Sequence, residues 1–409
     1  MTLDLAPPPA SGREAAAAPL RVLLCDDSAV VRAAMARILH ADPGIQVIAR
    51  ARNGEEAVAA IRRGGIDLAV IDIEMPVMDG LTALPLLLQA DPGLRVIVCS
   101  TLTTRGAAAA MEAMRRGAAD CLPKPSAAEE QSFAAELVAL VKGHGALRRR
   151  ASPTPALNLS FGAAPAPSPA PLLVPTPPPP AAAPAPPPPV AALRASLPPT
   201  LPAAAAARPT APRPPRPPLP LAVGAIGSST GGPEALATLF RAFRQPPRIP
   251  LLLTQHMPTA FIPMLAQHLS RLGPVPVGVA QEGEPLLPGR AYLAPGGRHL
   301  LVAPGSPPCV TLSDGPEEHF CRPAVDPMLR SLAQVYGARA LVAVLTGMGH
   351  DGGAGAALVD AAGGLVLAQD AATSVVWGMP GAVVERNAAR EVLPMPSLAA
   401  RFAELAGAA

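Results

Sequence analysis

A long stretch of proline and alanine divides this chain into two parts. Residues 151–220 hold 26 of the 56 prolines, mixed with alanines and arginines but with no acidic residue. Such a composition lacks a hydrophobic period and cannot bury a core, so it favours an extended, disordered chain with polyproline II character. We therefore predict a linker at 146–220 between two folded regions, 21–145 and 221–409, and a disordered tail at 1–20.

The N-terminal region alternates predicted strands with predicted helices. Apolar runs typical of buried strands lie at residues 21–25, 45–51, 68–71, 95–99 and 121–122, and helical patterns separate them. This alternation predicts an α/β fold with a doubly wound, flavodoxin-like parallel sheet. In such sheets the functional residues gather at the carboxyl ends of the strands.

Five polar residues stand at those strand ends: Asp26, Asp27, Asp72, Ser100 and Lys124. Three carboxylates at one sheet edge would repel one another, and a hard cation such as Mg²⁺ relieves that repulsion. With the cation bound, one carboxylate can attack a phosphoryl group, while a hydroxyl and an ammonium hold the phosphate oxygens. Each residue alone would also fit an N-cap or a surface charge, but the full set favours phosphoryl chemistry.

Residues 21–145 resemble a two-component receiver domain. The resemblance rests on these segments: Cys25-Asp26-Asp27-Ser28, Asp72-Ile73-Glu74-Met75-Pro76-Val77-Met78-Asp79-Gly80, Ser100 and Lys124-Pro125. It implies that Asp72 is the phosphoacceptor and binds Mg²⁺ together with Asp27, while Asp26 helps through water. It also implies that Ser100 and Lys124 sense the phosphate.

In the C-terminal region, a tight turn of sequence Gly-Ser-Ser-Thr-Gly-Gly occupies residues 227–232, between an apolar run and a helical pattern. Glycines let the backbone turn sharply, and Pro233 suits a first helical turn because it needs no amide partner there. A serine on this turn would lie beside free helix amides, as at a nucleophile elbow. The alternative is that Ser229 or Thr230 only caps the helix.

Three complementary side chains, Ser229, His256 and Asp351, each follow a predicted buried strand of what is again an α/β pattern with a parallel sheet. A serine hydroxyl needs an imidazole as base, and the imidazole needs a carboxylate to fix its tautomer, whatever their order along the chain. The backbone amides of Thr230 and Met348 could form an oxyanion hole. Alternatively, His256 is a structural histidine at a strand end and Asp351 caps the next helix.

The span 221–409 resembles the catalytic domain of chemotaxis-type protein-glutamate methylesterases. The matching segments are Ile226–Gly232, Gln255–Pro258, Arg322–Asp326, Leu345–Gly352 and Trp377–Gly381. The resemblance implies that Ser229 is the nucleophile, His256 the base and Asp351 its orienting carboxylate, with the Met348 amide donating to the oxyanion. Members of this family usually carry alanine where Ser228 stands here.

Taken together, the two resemblances imply a phosphorylation-regulated serine hydrolase of chemosensory adaptation. It would hydrolyse γ-methyl esters on glutamates of methyl-accepting chemoreceptors, releasing methanol, and would also deamidate receptor glutamines. A chemosensory histidine kinase would supply the phosphoryl group, and the unphosphorylated receiver would cover the esterase cleft. No cofactor is expected in the esterase site.

Charge and cysteine content limit the other possibilities. The net charge is +3, but residues 221–409 contain twelve arginines and thirteen acids, which argues against nucleic-acid binding. Five scattered cysteines fit a reducing compartment better than a disulfide framework or a zinc site. The sequence contains neither a signal-peptide pattern nor a long apolar run. We therefore expect a cytoplasmic protein that binds membrane receptors peripherally but is not inserted in the membrane.

The sequence leaves two other functions open. The spacing of Gly224, Gly227 and Gly231 loosely resembles a dinucleotide-binding turn, but it misses G-x-G-x-x-G, and Gln255-His256 stands where a ribose-binding acid belongs. The chain could also be a non-enzymatic interaction module gated by its receiver. A fluorophosphonate probe separates these alternatives, since only an activated serine would be labelled.

Overall fold

The computed structural model describes residues 18–125, 130–151 and 220–408. Nearly all of the predicted tail and linker lie outside these described residues. Within them, every helix is too short or too polar to cross a lipid bilayer.

The N-terminal region forms a five-stranded parallel sheet in the order β2-β1-β3-β4-β5. Its strands are β1 (Leu20–Cys25), β2 (Ile45–Ala51), β3 (Leu68–Asp72), β4 (Arg95–Ser100) and β5 (Asp120–Pro123). Its helices are α1 (Ala29–His40), α2 (Gly54–Arg62), α3 (Gly80–Ala90), α4 (Thr104–Arg115) and α5 (Glu130–Ala151). The strand order reverses between β1 and β3, which is where such folds bind ligands.

Local capping explains where the first four helices begin. The side chains of Ser28, Asn53, Asp79 and Thr103 each accept a backbone amide in the first turn that follows. None of the five strand-end residues predicted as a phosphoryl site is used in this way, so the capping alternative for them is wrong.

Helix α5 is longer than the sequence predicts, since it continues past residue 145 to Ala151. The arginines at its end are held by ion pairs within the same region: Arg148 with Asp91 at 2.7 Å and Arg149 with Asp67 at 3.2 Å. These contacts extend the folded region into the start of the predicted linker.

The C-terminal region forms a seven-stranded parallel sheet in the order β14-β13-β12-β6-β7-β9-β8. Its strands are β6 (Val223–Ser228), β7 (Leu251–Gln255), β8 (Val277–Val279), β9 (Ala291–Leu293), β12 (Ala340–Val344), β13 (Leu365–Gln369) and β14 (Glu391–Leu393). Strands β10 (His299–Ala303) and β11 (Cys309–Ser313) pair separately and antiparallel. The helices are α6 (Gly232–Ala242), α7 (Ile262–Ser270), α8 (Val325–Tyr336), α9 (Gly353–Ala361), α10 (Met379–Glu385) and α11 (Met395–Ala408).

The predicted α/β parallel-sheet class is confirmed for both regions, while several peripheral elements were not predicted. The edge strand β14 and the helices α10 and α11 carry weak or short patterns in the sequence. Strands β10 and β11 are predicted by apolar runs near residues 300–302 and 310–312, but their separate antiparallel pairing is not. The central strands were predicted because they are buried on both faces and read as continuous apolar runs. Three of them, β12, β6 and β7, are adjacent, so the chain that follows each strand emerges at one edge of the sheet.

Gly227, in the central strand β6, allows the sheet to approach helix α8. A Cβ at this position would lie 2.5 Å from Val325 Cγ1, and Val325 is itself buried and stiff.

We predict that Gly227→Ala lowers the free energy of unfolding of the C-terminal region by about 1–3 kcal/mol through overpacking. Scanning calorimetry of the full chain would measure the change. Gly407→Ala is the matched control, since a Cβ there meets nothing within 4 Å, and an unchanged transition in Gly227→Ala would contradict the account.

Candidate active site

The two adjacent serines of the turn after β6 have different environments. Ser228 ends the strand, is 0% exposed, and its hydroxyl donates to Gln255 Oε1 at 2.6 Å. Ser229 is the next residue; its amide donates to Thr346 O at 3.0 Å, and the residue lines a cavity of about 960 Å³. Only Ser229 of the pair therefore faces a space that a substrate could enter.

The capping alternative for this turn is wrong. Helix α6 has Gly231 at its N-cap, in the left-handed region at φ 78°, and no side chain caps it. Glycine is required here for a second reason as well, because a Cβ would lie 2.5 Å from Val375 Cγ2. The hydroxyls of Ser229 and Thr230 are thus not used to begin the helix.

Asp351 is held by four hydrogen bonds. Its carboxylate accepts from the amides of Val325 at 2.6 Å, Asp326 at 2.9 Å and Gly352 at 2.8 Å, and it contacts His256 Nε2 at 2.8 Å. The first two amides open helix α8, which has no side-chain cap of its own. Asp351 therefore caps α8 across the fold, whereas the capping of the following helix α9 that the sequence suggested is wrong, since Gly352 is the N-cap there.

The same contacts set the charges of the pair. Burial alone would raise the pKa of Asp351, but the hydrogen bonds from His256 and the amides outweigh it and lower that pKa. Burial alone would lower the pKa of His256, but the bond to Asp351, with a smaller contribution from Cys321, raises it above its ordinary value. The carboxylate is thus ionised and stabilises an imidazolium, as a general base requires.

Cys321 was not recognised from the sequence, yet it contacts the other nitrogen of the same imidazole. Its Sγ lies 3.4 Å from His256 Nδ1. His319 also lies nearby, with Nε2 at 2.8 Å from Asp326 Oδ2 and its ring edge-on to His350 at 4.4 Å. Cys321 and His319 lie in the loop between β11 and α8. The periodicity of strands and helices therefore does not predict that they lie near His256.

The two residues predicted to form an oxyanion hole, Thr230 and Met348, line the same cavity as Ser229. In the described ranges, neither backbone amide donates a hydrogen bond to another protein group. Amides of this kind beside a serine hydroxyl are suited to a developing negative charge on oxygen.

A second polar cluster lies at the carboxyl ends of β1 and β3. Carboxylate oxygens of Asp26, Asp27 and Asp72 fall within 4.8 Å of one another, and Lys124 Nζ lies 2.9 Å from Asp26 and 2.8 Å from Asp72. Ser100 Oγ is buried with no hydrogen-bond partner among the described residues. The five residues predicted from the sequence are thus brought to one sheet edge.

This cluster fits a hard divalent cation and a phosphoryl group. Burial raises the pKa of Asp72, and the neighbouring Asp26 charge adds to this, although Lys124 opposes it. Burial alone would lower the pKa of Lys124, but its bonds to Asp72 and Asp26 raise it. Oxygen ligands alone, with excess negative charge, suit Mg²⁺, and the unpartnered Ser100 hydroxyl is available to a phosphate oxygen.

The N-terminal region forms part of the wall of the cavity that contains Ser229, through Leu102, Pro123, Lys124, Phe133 and Glu136 among others. Burial raises the pKa of Glu136 to about 7, the Asp120 charge adds to this, and His256 opposes it.

Direct bonds also join the two regions. Asp120 Oδ2 in β5 accepts the amide of Gly231 at 2.9 Å, and Arg95 pairs with Glu234 of α6 at 3.1 Å. Gly143 of α5 lies against the backbone of Val375. The helix that follows Ser229 is therefore held directly by the N-terminal region.

Comparison with known proteins identifies both regions. Residues 224–402 match the family described as CheB methylesterase, and residues 22–135 match the response regulator receiver domain. A protein-glutamate methylesterase/protein-glutamine glutaminase 1 of Paramagnetospirillum magneticum is 44% identical over 393 residues, which cover 95% of this chain and 96% of that protein. The chain belongs to the protein-glutamate methylesterase/protein-glutamine glutaminase family.

A second relative agrees with this assignment to the methylesterase family. The protein of the same name from Rhodospirillum rubrum is 44% identical over 389 residues, covering 93% of this chain and 94% of that protein. The crystal structure of the Thermotoga maritima CheB methylesterase catalytic domain is 37% identical and covers 46% of this chain and 100% of that chain, at a TM-score of 0.44. The predicted combination of a receiver domain and a methylesterase domain is confirmed, and neither the nucleotide-binding nor the non-enzymatic alternative is supported.

The raised pKa of His256 predicts how ester hydrolysis depends on pH. A base that must be neutral becomes active as pH rises through its pKa, so kcat/KM should rise with a midpoint above the ordinary histidine value of about 6.5. Asp351→Asn removes the charge that stabilises the imidazolium, so the midpoint should move to lower pH while kcat falls by about 10⁴-fold.

The measurement is a pH–rate profile for a small ester. Asp326→Asn serves as the matched control, because Asp326 contacts His319 and not His256. An equal shift in both variants would contradict the assignment of Asp351 to His256.

Proposed function

We propose that this chain is a phosphorylation-regulated serine hydrolase that removes γ-methyl esters from glutamates of methyl-accepting chemoreceptors in chemosensory adaptation. One observation carries the mechanism: Ser229 and His256 line one cavity, and His256 is bonded to Asp351 at 2.8 Å, each residue following one of three adjacent strands. The substrate class is taken from the names of the relatives, and the same site would deamidate receptor glutamines.

The proposed reaction uses the two ring nitrogens of His256 for different tasks. Nε2 stays bonded to Asp351, so Nδ1 is the base. Nδ1 leaves the Cys321 thiol and binds the Ser229 hydroxyl in its place. It then takes the proton of that hydroxyl as Ser229 Oγ attacks the ester carbonyl carbon. The carbonyl oxygen becomes an oxyanion, which the amides of Thr230 and Met348 stabilise.

Collapse of this tetrahedral intermediate completes the first half of the reaction. The C–O bond to methanol breaks, and the imidazolium gives its proton to the leaving oxygen. Water then attacks the acyl-enzyme with His256 again as base, which regenerates Ser229 and releases the glutamate side chain. With a glutamine substrate, ammonia leaves in place of methanol.

In the receiver domain, Asp72 would accept a phosphoryl group from a chemosensory histidine kinase. Asp26, Asp27 and Asp72 would hold Mg²⁺, which when bound offsets the negative charge around the phosphoryl group. Ser100 and Lys124 would bind the new phosphate oxygens. We infer a cytoplasmic protein that acts on membrane receptors from the cytoplasmic side.

The regulation we propose is removal of the receiver domain from the cavity. Lys124 contacts Asp72 at 2.8 Å and also lines the cavity that contains Ser229. The phosphorylation site and the cavity are therefore connected by one side chain. Asp120 accepts the Gly231 amide two residues after Ser229. Undocking would expose the cavity and remove a negative charge from the start of α6, where an oxyanion must form.

Ser229→Ala should abolish ester hydrolysis, because covalent catalysis is lost, with kcat lower by about 10⁴–10⁶-fold. The assay is methanol release from methylated receptors in membranes of the same cell. Ser228→Ala is the matched control and should keep most activity, since the Ser228 hydroxyl is buried against Gln255. The assignment of the nucleophile would be contradicted if Ser229→Ala kept its turnover, or if turnover were lost only in Ser228→Ala.

Gly143→Ala should raise the basal rate of the full chain without phosphodonor. A Cβ at this position would clash with the carbonyl oxygen of Val375 across the interface, whereas alanine in a helix is favoured over glycine by about 1 kcal/mol. The receiver should therefore stay folded while docking is weakened. The rate should approach that of the phosphorylated wild type, and phosphodonor should add little.

Two measurements accompany this test. Labelling of Asp72 by acetyl phosphate and Mg²⁺ should persist in Gly143→Ala, which shows that the receiver is intact, and should vanish in Asp72→Asn. A basal rate equal to that of the wild type in Gly143→Ala would mean that docking does not limit access to Ser229.

A further inference from the structure

The loop that carries Cys321 to the active site contains a strained turn. His319 and Phe320 both have left-handed backbone angles, at φ 54° and 61°, which bulky side chains rarely adopt. The turn is closed by two bonds, from Glu318 N to Cys321 O at 3.2 Å and from Cys321 N to Glu318 O at 2.9 Å. Strain of this kind persists only where the surroundings enforce it, and it gathers at binding and catalytic sites.

The side chains around Phe320 enforce this conformation. Glu318 pairs with Arg330 of α8 at 2.9 Å, His319 bonds to Asp326 at 2.8 Å, and Cys321 contacts His256 at 3.4 Å. Three of the four turn residues are thus fixed to the body of the domain. The fourth, Phe320, is 98% exposed. The fold thus fixes the backbone that carries one large aromatic side chain and leaves its ring in solvent.

This exposed ring lies at the active site. Phe320 lines the same cavity as Ser229 and His256, and so does Met348, which is also exposed. Aromatic side chains often anchor protein recognition, and a backbone that is fixed before binding reduces the conformational entropy lost on binding. A small ester would need no such ring outside the reacting centre, whereas a glutamyl ester within a protein brings neighbouring side chains with it.

We propose that Phe320 is a substrate-docking residue that binds an apolar side chain of the protein substrate beside the scissile glutamyl ester. This inference rests on the proposed function and assigns the recognition of the protein, as distinct from the chemistry, to the strained turn. Phe320 does not contact the reacting bond, so its role is to lower KM for the protein substrate.

The test compares two substrates on the full chain activated with acetyl phosphate and Mg²⁺. One is methylated receptor in membranes of the same cell, and the other is N-acetylglutamate γ-methyl ester, which lacks neighbouring side chains. For Phe320→Ala we expect kcat/KM on the receptor to fall on the order of tenfold, mainly through KM, as for loss of one aromatic anchor. Hydrolysis of the small ester should not change.

Two further variants separate the ring from the fold of the turn. Phe320→Asn suits the left-handed backbone, so it should lose receptor activity as Phe320→Ala does while keeping the turn. Leu358→Ala is the matched control, since it removes another exposed apolar side chain, 47% exposed, on α9 outside the cavity. It should affect neither substrate.

The outcomes are distinct. If both substrates are lost in parallel in Phe320→Ala and Phe320→Asn, the ring supports the turn and the docking role is overturned. Unchanged kinetics on both substrates overturn it as well. If the wild type hydrolyses neither the methylated receptor nor the small ester, the proposed function is overturned, and the docking role with it.

Discussion

The proposed active site depends on one buried carboxylate at the start of one helix. Asp351 accepts the first amides of α8 and at the same time fixes His256 through Nε2. Against the effect of burial, the bond from His256, together with the amides at the positive end of α8, lowers the pKa of Asp351, so the carboxylate is available to stabilise an imidazolium. The helix gains a cap that its own sequence lacks, and for this reason the stability of the fold and the positioning of His256 depend on the same bonds.

The same physical arrangement occurs a second time between the two domains. Asp120 of the receiver accepts the Gly231 amide at the uncapped start of α6. Asp351 belongs to the methylesterase domain and remains with α8, whereas Asp120 belongs to the receiver domain and leaves α6 if the receiver undocks. A carboxylate that stabilises the closed arrangement would also oppose a developing oxyanion beside Ser229, so docking would inhibit through charge as well as through coverage.

The sequence predicted what lies on strands and at strand ends. Ser229, His256 and Asp351 follow buried strands with clear apolar runs. In the receiver, Asp26 follows such a strand, and Asp72 and Ser100 are the last residues of two others. Cys321 and Asp120 could not be found in this way, because their roles come from contacts across more than 60 residues of chain. The strain at Phe320 was also hidden, since a left-handed angle at a bulky residue is imposed by its neighbours.

Glu136 indicates why docking need not be permanent. This carboxyl lines the covered cavity, burial raises its pKa to about 7, and the Asp120 charge adds to that rise while His256 only partly opposes it. Keeping a carboxyl in such surroundings costs free energy whether it stays charged or takes up a proton. That cost offsets part of the gain from the Asp120 bond and the Arg95–Glu234 pair. Under the regulation proposed above, this cost would reduce the change at Asp72 that release of the receiver requires.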